Sequence, residues 1–219
     1  MKRIILLAIF IIAARMVSAQ DADSAKFICG KSTVEYAGQI YNTVKIGSQC
    51  WLKKNLNVGT MISGNTEQSK KVGMIEKYCY NDDSANCTTY GGLYQWDEAM
   101  QYNSESTQGI CPKGWHMPAM DELQALSSAV NNDGNAIKAT GQGVGDGAGT
   151  NVSGFSALFT GFHHYDGYFD GLKTYVRIWS SSEGDPETAY LLRLTSSGSK
   201  VYLYDNNKTY GLTVRCLKD

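Results

Sequence analysis

The sequence predicts an α+β fold in which two short helices pack on small antiparallel sheets joined by long loops. Short alternating segments, such as residues 40–47, are separated by turn-forming glycine, asparagine and serine residues, which is typical of short strands. Two longer segments carry apolar residues at helical spacing. Six cysteines behind an export signal predict disulfides that hold such a loop-rich fold together.

The first 19 residues are predicted to be a signal peptide. Lys2 and Arg3 precede an apolar run, Ile4–Ala14, and Val17-Ser18-Ala19 matches a small-residue cleavage site. The run is shorter than the roughly 20 residues that span a bilayer, so a membrane anchor is the less favoured interpretation. No second long apolar run follows, so we expect no membrane span in the mature chain. We expect a protein that is secreted, displayed at the cell surface or retained in the periplasm.

The 200 residues that remain (219 minus 19) are predicted to form a lead-in, residues 20–38, tied down by Cys29, and a single domain, residues 39–219. Without the three basic residues of the signal peptide, 17 basic and 21 acidic residues give a net charge of −4. Nucleic-acid binding needs a basic face, so we expect no nucleic-acid partner.

The six cysteines allow 15 disulfide connectivities, of which we favour one. The first favoured pair lies close in sequence around a polar turn. The second closes a loop of about a hundred residues, for which chain entropy predicts roughly 5 kcal/mol of stabilisation. A zinc site is the alternative, which the wide spacings and the lack of a CxxC pair disfavour. The favoured pairs are Cys79–Cys87, Cys111–Cys216 and, from the remaining cysteines, Cys29–Cys50.

The two helices are predicted around residues 93–100 and from about Met120 to Val130. Acidic residues in the first turn of the second helix suit the positive end of its dipole. Ala119 stands where a serine or threonine usually caps such a helix, which costs about 1 kcal/mol. Residues 58–77 are predicted to form an irregular surface loop.

A glycine-rich segment, residues 140–154, precedes the last strands. It is interpreted as a surface loop, because it lacks a GxxxxGK[ST] motif and the strand-to-helix context of a nucleotide-binding loop. The strands predicted after it are Phe155–His163, Thr174–Ser181, Ala189–Leu194, Lys200–Tyr204 and Tyr210–Leu217.

Six short motifs follow one another over residues 39–219. They are Val44-Lys45-Ile46-Gly47 with Cys50-Trp51 and Asn55-Leu56, then Tyr90-Gly91-Gly92-Leu93-Tyr94-Gln95-Trp96, Cys111-Pro112-Lys113-Gly114-Trp115-His116-Met117-Pro118, Gly154-Phe155-Ser156-Ala157-Leu158, Trp179-Ser180-Ser181-Ser182-Glu183 and Gly211-Leu212-Thr213-Val214-Arg215-Cys216. In this order they resemble the Fibrobacter succinogenes major paralogous domain family. Its members are exported bacterial proteins, many without an assigned function.

That family in turn resembles the C-type-lectin-like fold, including its relatives among formylglycine-generating enzymes. The turn Trp115–Pro118 ahead of a helix and the closing strand Val214–Cys216 resemble landmarks of that fold. A long disulfide from the helix region to the last strand is also familiar there. The resemblance therefore implies a single C-type-lectin-like domain over residues 39–219.

We find no catalytic constellation in the sequence. A formylglycine-type oxidase needs a free cysteine, whereas each cysteine here has a predicted partner. Ser156 lacks the second glycine of a nucleophile elbow, and His116 is interpreted as a packed structural histidine. His163 and His164 are adjacent, so they point to opposite faces of a strand. A glycosidase with paired carboxylates stays an alternative, although no spacing singles out a pair.

We expect no cofactor, with calcium as the alternative. The sugar-binding motifs of calcium-dependent lectins are missing from the sequence. Asn131–Gly134 resembles half an EF-hand loop, but the twelfth position falls on Thr140 instead of glutamate. Calcium binding by a different set of ligands, Asp146, Asp166 and Asp170, stays an alternative.

Aromatic residues cluster around two tight turns in residues 162–171, with further tyrosines on the nearby strands. Exposed tyrosine rings stack on sugars and anchor protein interfaces, although the same rings could simply cover the core. The candidate ligand-binding residues are His163, His164, Tyr165, Tyr168, Phe169 and Tyr175.

The leading hypothesis is an exported, non-catalytic binding module that recognises a polysaccharide or a surface protein through loops around residues 140–175. One alternative is a structural subunit of a cell-surface or appendage assembly, for which self-assembly is expected. The other is an enzyme that acts on carbohydrate or sulfate-ester substrates.

Overall fold

The computed structural model describes residues 26–103 and 105–219, so the predicted signal peptide and the first part of the lead-in lie outside the described residues. The described ranges form a mixed α+β fold, as predicted, with four short α-helices and twelve strands. The helices are α1 (Ser84–Tyr90), α2 (Trp96–Ala99), α3 (Met120–Ala129) and α4 (Gly134–Ile137). The strands are β1 (Thr33–Tyr36), β2 (Gln39–Ile46), β3 (Gln49–Leu52), β4 (Thr60–Met61), β5 (Glu76–Lys77), β6 (Trp115–His116), β7 (Thr160–His163), β8 (Phe169–Leu172), β9 (Tyr175–Glu183), β10 (Thr188–Thr195), β11 (Tyr202–Asn207) and β12 (Leu217–Lys218).

The larger sheets are a five-stranded one with the order β1-β2-β3-β12-β6 and a three-stranded one with the order β11-β10-β9. Both are antiparallel, as is the β7–β8 hairpin. In contrast, β4 and β5 pair in parallel inside residues 58–77. The prediction of an irregular loop there was wrong at these four residues. Their pairing depends on partners some fifteen residues apart, which a local alternation pattern does not reveal.

The predicted strands after residue 154 form in part. β9, β10 and β11 lie within a few residues of their expected positions. The predicted strand Phe155–His163 is reduced to β7, because Ser156 adopts a left-handed backbone conformation with φ of 61° that interrupts an extended chain. The predicted strand Tyr210–Leu217 is reduced to β12, preceded by isolated bridges from Gly211, Leu212 and Thr213.

Helix α3 matches its prediction, and the missing Ser or Thr cap is replaced from elsewhere. The Glu122 carboxylate accepts a hydrogen bond from the Ala119 N–H at 2.8 Å. The Ser182 hydroxyl, which lies on β9, accepts one from the Met120 N–H at 3.0 Å. The first predicted helix is shorter than expected, since Leu93 forms a bridge with Tyr78 instead of a helical turn. The fold therefore holds the start of α3 by a tertiary contact.

The number of helices was underestimated. Helices α1 and α4 were not predicted, and each has an aspartate as its N-cap residue. The Asp83 carboxylate accepts from the Ala85 N–H, and the Asp133 carboxylate accepts from the Asn135 N–H. The segment around Asp133 that resembles half an EF-hand loop is thus the cap of α4.

All three predicted disulfides are confirmed, and the described residues contain no free cysteine. Disulfides are typical of proteins that mature in an oxidising compartment. Cys111 and Cys216 lie in the larger of two hydrophobic clusters, together with Trp179. The other cluster contains Trp51 and Phe155. Among the described helices, none has the length and apolar character needed to cross a membrane.

Candidate functional site

The candidate site begins at the turn between β7 and β8. The Gly167 N–H donates to the His164 carbonyl at 2.9 Å, and the His164 N–H donates to the Tyr168 carbonyl at 2.8 Å. Gly167 has φ of +91°, and a Cβ there would lie 2.9 Å from the Asn65 side-chain oxygen. Glycine is therefore required both by the backbone conformation and by the close approach of the neighbouring loop.

The two adjacent histidines face opposite sides, as predicted. His163 is only 2% exposed, and its ring stacks on Tyr78 with a centroid distance of 3.8 Å. Its Nε2 lies 2.8 Å from the Gly64 carbonyl and donates to it, while its Nδ1 is buried without a partner in the described residues. Burial lowers the pKa of His163, which keeps the imidazole neutral. Phe169, which is partly buried, packs edge-on against His163 with a centroid distance of 5.2 Å and helps to cover it.

His164 lies at the centre of an outward-facing group of rings. Its ring stacks on Tyr168 at 4.3 Å and lies 4.1 Å from Tyr165, while Tyr210 approaches edge-on at 4.9 Å. Tyr165 is 60% exposed and Tyr168 is 51% exposed. We refer to His164, Tyr165, Tyr168 and Tyr210 as the aromatic platform. Mutual stacking holds its exposed rings in place, so a ligand would meet rings that are already ordered.

A cleft of about 370 Å³ opens beside the aromatic platform, bounded on one side by Tyr165 and Asp166. Its other walls come from the loop around Asn65 and from the buried side chains behind it. Polar and apolar surface contribute about equally to the lining, and the polar groups offer both donors and acceptors to a hydroxyl-rich ligand. The polar side chains that line the cleft are Asn65, Thr66, Glu67, Gln95, Asp166 and Thr209.

Tyr175 is not part of the platform but lies on β9, on a second surface that continues from it. Strand register sets Arg193 opposite both Arg177 and Tyr202, so these side chains share one face of the sheet. The Arg193 guanidinium carbon lies 5.9, 5.1 and 5.2 Å from the rings of Tyr175, Tyr202 and Tyr204. We refer to Tyr175, Arg177, Arg193, Tyr202 and Tyr204 as the tyrosine–arginine face.

Arg177 joins the two surfaces. Its guanidinium carbon lies 3.9 Å from the centroid of the Phe162 ring and 6.0 Å from that of Tyr210 in the aromatic platform. Sequence reasoning missed Arg177 and Arg193. The period of two along a strand could have found Arg177, since it places that residue on the same face as Tyr175.

The glycine-rich loop, residues 140–154, reaches the same end of the three-stranded sheet. The Val144 N–H donates to the Ser196 carbonyl, and the Ser196 N–H donates to the Thr174 carbonyl, both at 2.8 Å. The structure thus brings the loop next to Tyr175 through Ser196, which follows β10. The predicted loop region around residues 140–175 consequently borders one continuous surface.

Other candidate residues have contacts of a structural kind. His116 lies between two carboxylates, with Nδ1 at 2.7 Å from Asp219 and Nε2 at 3.1 Å from Glu122. The Ser156 hydroxyl lies 2.9 Å from the Asn151 side-chain nitrogen. In residues 26–103 and 105–219, no three His, Cys, Asp or Glu side chains group as a metal site would require.

A separate cleft of about 350 Å³ has Lys53, Lys54 and Arg215 in its lining. Arg215 is only 1% exposed, and its guanidinium donates twice to the Asn55 side-chain oxygen and once to the Phe155 carbonyl. Burial lowers the pKa of Arg215 to about 9. Arg215 therefore ties together the segments that carry Asn55 and Phe155, and each of its three side-chain nitrogens has an acceptor within the fold. We consider this cleft less suited to a ligand than the aromatic surface.

The comparisons with known proteins agree with the sequence motifs. A family model described as the Fibrobacter succinogenes major domain matches residues 44–218. No curated protein and no solved structure shows a significant match to the chain.

Proposed function

The chain belongs to the Fibrobacter succinogenes major domain family, and we propose that it is an exported, non-catalytic module that binds a polysaccharide. The proposed binding surface is the aromatic platform with the polar cleft beside it. The proposed scaffold is C-type-lectin-like, which the α+β architecture and the long Cys111–Cys216 disulfide support.

The observation that carries the proposal is the exposure of two ordered tyrosine rings. Tyr165 and Tyr168 are both more than half exposed, yet each packs on His164. Two large rings in contact with water forgo the hydrophobic stabilisation that their burial would give. Because they stack on His164 with one face only, their outer faces are free to contact a ligand. Tyrosine supplies a large contact area at low conformational cost, which suits an apolar sugar face.

The polar cleft adds the second requirement of sugar recognition, directional hydrogen bonds. Carboxylate and amide side chains of Glu67, Asp166, Asn65 and Gln95 line it. A few placed polar groups beside aromatic rings are the usual composition of a small-ligand site. The three disulfides support export, because they form and persist in oxidising compartments.

The experiment is a polysaccharide-binding panel on the mature protein and on the variant Tyr165→Ala/Tyr168→Ala. We expect the mature protein to bind at least one polysaccharide, and the double variant to bind it about tenfold or more weakly, as expected for the loss of anchoring aromatic residues. Affinity electrophoresis and titration calorimetry measure the change.

Ile40→Ala is the matched control, since Ile40 is an exposed apolar residue on β2 with 64% exposure. This control should bind as the unmodified protein does. Failure of the folded protein to bind any polysaccharide, or unchanged binding by the double variant, would refute the proposal.

A further inference from the structure

Two arginines lie directly opposite each other on neighbouring strands. Arg177 of β9 pairs in register with Arg193 of β10, so both side chains leave the same face of the sheet. Like charges placed directly opposite each other destabilise a sheet. This arrangement therefore calls for a compensating interaction.

The described residues supply no acidic partner for this pair. Neither guanidinium forms a salt bridge or donates a hydrogen bond within residues 26–103 and 105–219, and the Nε of each is buried without an acceptor. Arginine carries five N–H donors and no acceptor, so the pair has many donors to offer. Unlike the buried Nε atoms, the Nη groups of both arginines are not enclosed by the protein, so a ligand oxygen can accept hydrogen bonds from them.

The surroundings of Arg177 are aromatic instead of acidic. Phe162 lies under its guanidinium, with Tyr175 and Tyr210 at 5.8 and 6.0 Å from the guanidinium carbon. Burial lowers the pKa of Arg177, and the charge of Arg193 also lowers it, whereas the neighbouring tyrosines, Tyr204 foremost, raise it in part. Ring faces attract a cation, but they carry no net charge, so the two positive charges remain uncompensated.

We propose that the polysaccharide is acidic, and that Arg177 and Arg193 together bind one of its oxyanion groups, a carboxylate or a sulfate ester. The planar guanidinium matches such groups through two parallel N–H···O bonds. This inference rests on the proposed function, since it names the class of polysaccharide that the same surface binds.

The geometry lets one glycan chain contact both surfaces. Arg177 lies beside Tyr210, and Tyr210 contacts both His164 and Tyr165 of the aromatic platform. An oxyanion held at the arginine pair would therefore place neighbouring sugar rings near the exposed tyrosines. The tyrosines of the tyrosine–arginine face add hydroxyl groups for the same chain.

The experiment compares polygalacturonate, dextran sulfate and neutral dextran as ligands of the mature protein. We expect an acidic polymer to bind more tightly than the neutral one, with an affinity that falls as salt is added. Polygalacturonate and dextran sulfate separate a carboxylate from a sulfate ester as the bound group. In Arg177→Gln/Arg193→Gln, the affinity for the preferred acidic polymer should fall about a hundredfold, because two charge-assisted contacts are lost.

Two further variants separate specific recognition from general attraction. Lys31→Gln/Lys45→Gln removes the same number of charges from exposed positions on other parts of the fold, and its affinity should change less than about twofold. Arg177→Lys/Arg193→Lys keeps both charges but loses the planar fork, so it should bind with intermediate affinity. Equal weakening by the lysine control, or unchanged affinity in the arginine-to-glutamine variant, would overturn the inference.

The outcomes also separate this inference from the proposed function. Binding to neutral dextran that depends on Tyr165 and Tyr168, without preference for an acidic polymer, refutes the inference and leaves the proposed function standing. Binding to poly-glutamate as tight as to the acidic polysaccharides also refutes the inference, since the pair then selects charge alone. No binding to any polysaccharide refutes both.

Discussion

The arginines of the described residues occupy two contrasting regions. Arg215 is buried beside the Cys111–Cys216 disulfide, whereas Arg177 and Arg193 lie partly exposed on the tyrosine–arginine face of the three-stranded sheet. In both regions the guanidinium packs on aromatic rings, and within the described residues no carboxylate pairs with it. The regions differ in their hydrogen-bond acceptors. The protein itself supplies acceptors to Arg215, but within the described residues it supplies none to Arg177 and Arg193.

This difference separates residues that specify the fold from residues that await a partner. The acceptors of Arg215 come from Asn55 and Phe155, which belong to two of the sequence motifs shared with the family. The hydrogen bonds from Arg215 to Asn55 and Phe155 give a physical reason for these motifs to occur together in one chain. A charged group that has no acceptor within the described fold, on a partly exposed face, is instead interpreted as a contact for a ligand.

The largest expected effect comes from removing the disulfide beside Arg215. Cys111→Ala/Cys216→Ala opens a loop with a sequence separation of 105 residues, which chain entropy values at about 5 kcal/mol of the free energy of unfolding. Cys79→Ala/Cys87→Ala opens a separation of only 8 residues and should cost about 2.5 kcal/mol. Denaturant unfolding measures both. Equal losses would mean that the long disulfide does not act through the length of its loop.

The second effect is the loss of the acceptor for Arg215. Asn55→Leu removes the oxygen that accepts two of its hydrogen bonds and leaves a charge buried, so we expect a loss of about 3 kcal/mol. The matched change on the tyrosine–arginine face, Arg177→Gln/Arg193→Gln, should not lower the free energy of unfolding and should raise it by up to about 1 kcal/mol, because it removes two like charges from directly opposite strand positions. If the Arg177→Gln/Arg193→Gln variant lost much stability and Asn55→Leu lost little, the assignment of the two regions would be reversed.

The sequence predicted the fold-specifying region better than the surface region. Local patterns identified α3 and the strands β9 and β10, and the disulfide pairs followed from spacing and loop closure. The short helices α1 and α4 were missed, because each covers only one or two turns and is held mainly by its aspartate cap. Helical periodicity is not readable over so few residues.

The surface could be predicted only in part. The cluster of aromatic residues was visible as composition, but the division between His163 beneath and His164 above depends on Tyr78, Gly64 and Tyr210. These partners lie tens of residues away along the chain, and strand register alone sets Arg193 opposite Arg177. Local sequence carries no information on such pairings until the topology is known.

The smallest expected effect tests whether an unpaired buried polar atom always signals a ligand. Glu98 is 1% exposed, and its Oε1 accepts from the Glu76 N–H at 2.7 Å, while its Oε2 is buried without a partner in the described residues. Burial and the charge of Glu76 raise the pKa of Glu98, while the hydrogen bond from the Glu76 N–H and the nearby side chains of Tyr102 and Gln101 offset only part of that rise. Glu98 lines neither of the two clefts described above and, unlike the arginine pair, belongs to neither of the two aromatic surfaces, so we interpret its unpaired atom as a cost to stability.

A raised pKa in the folded state means that this group stabilises the protein most at low pH, and that the contribution is lost as pH rises through the folded-state pKa. Glu98→Gln keeps an oxygen for the Glu76 N–H and removes the buried charge. The free energy of unfolding of the variant should therefore rise relative to that of the unmodified protein as pH increases above about 4, and the difference should reach about 1 kcal/mol at neutral pH. Asp97→Asn, at the exposed neighbouring position on α2, is the control and should show no such pH-dependent gain. Denaturant unfolding between pH 4 and pH 8 measures the difference, and a stability gain that stays constant over this range would argue against a buried carboxylate charge at Glu98.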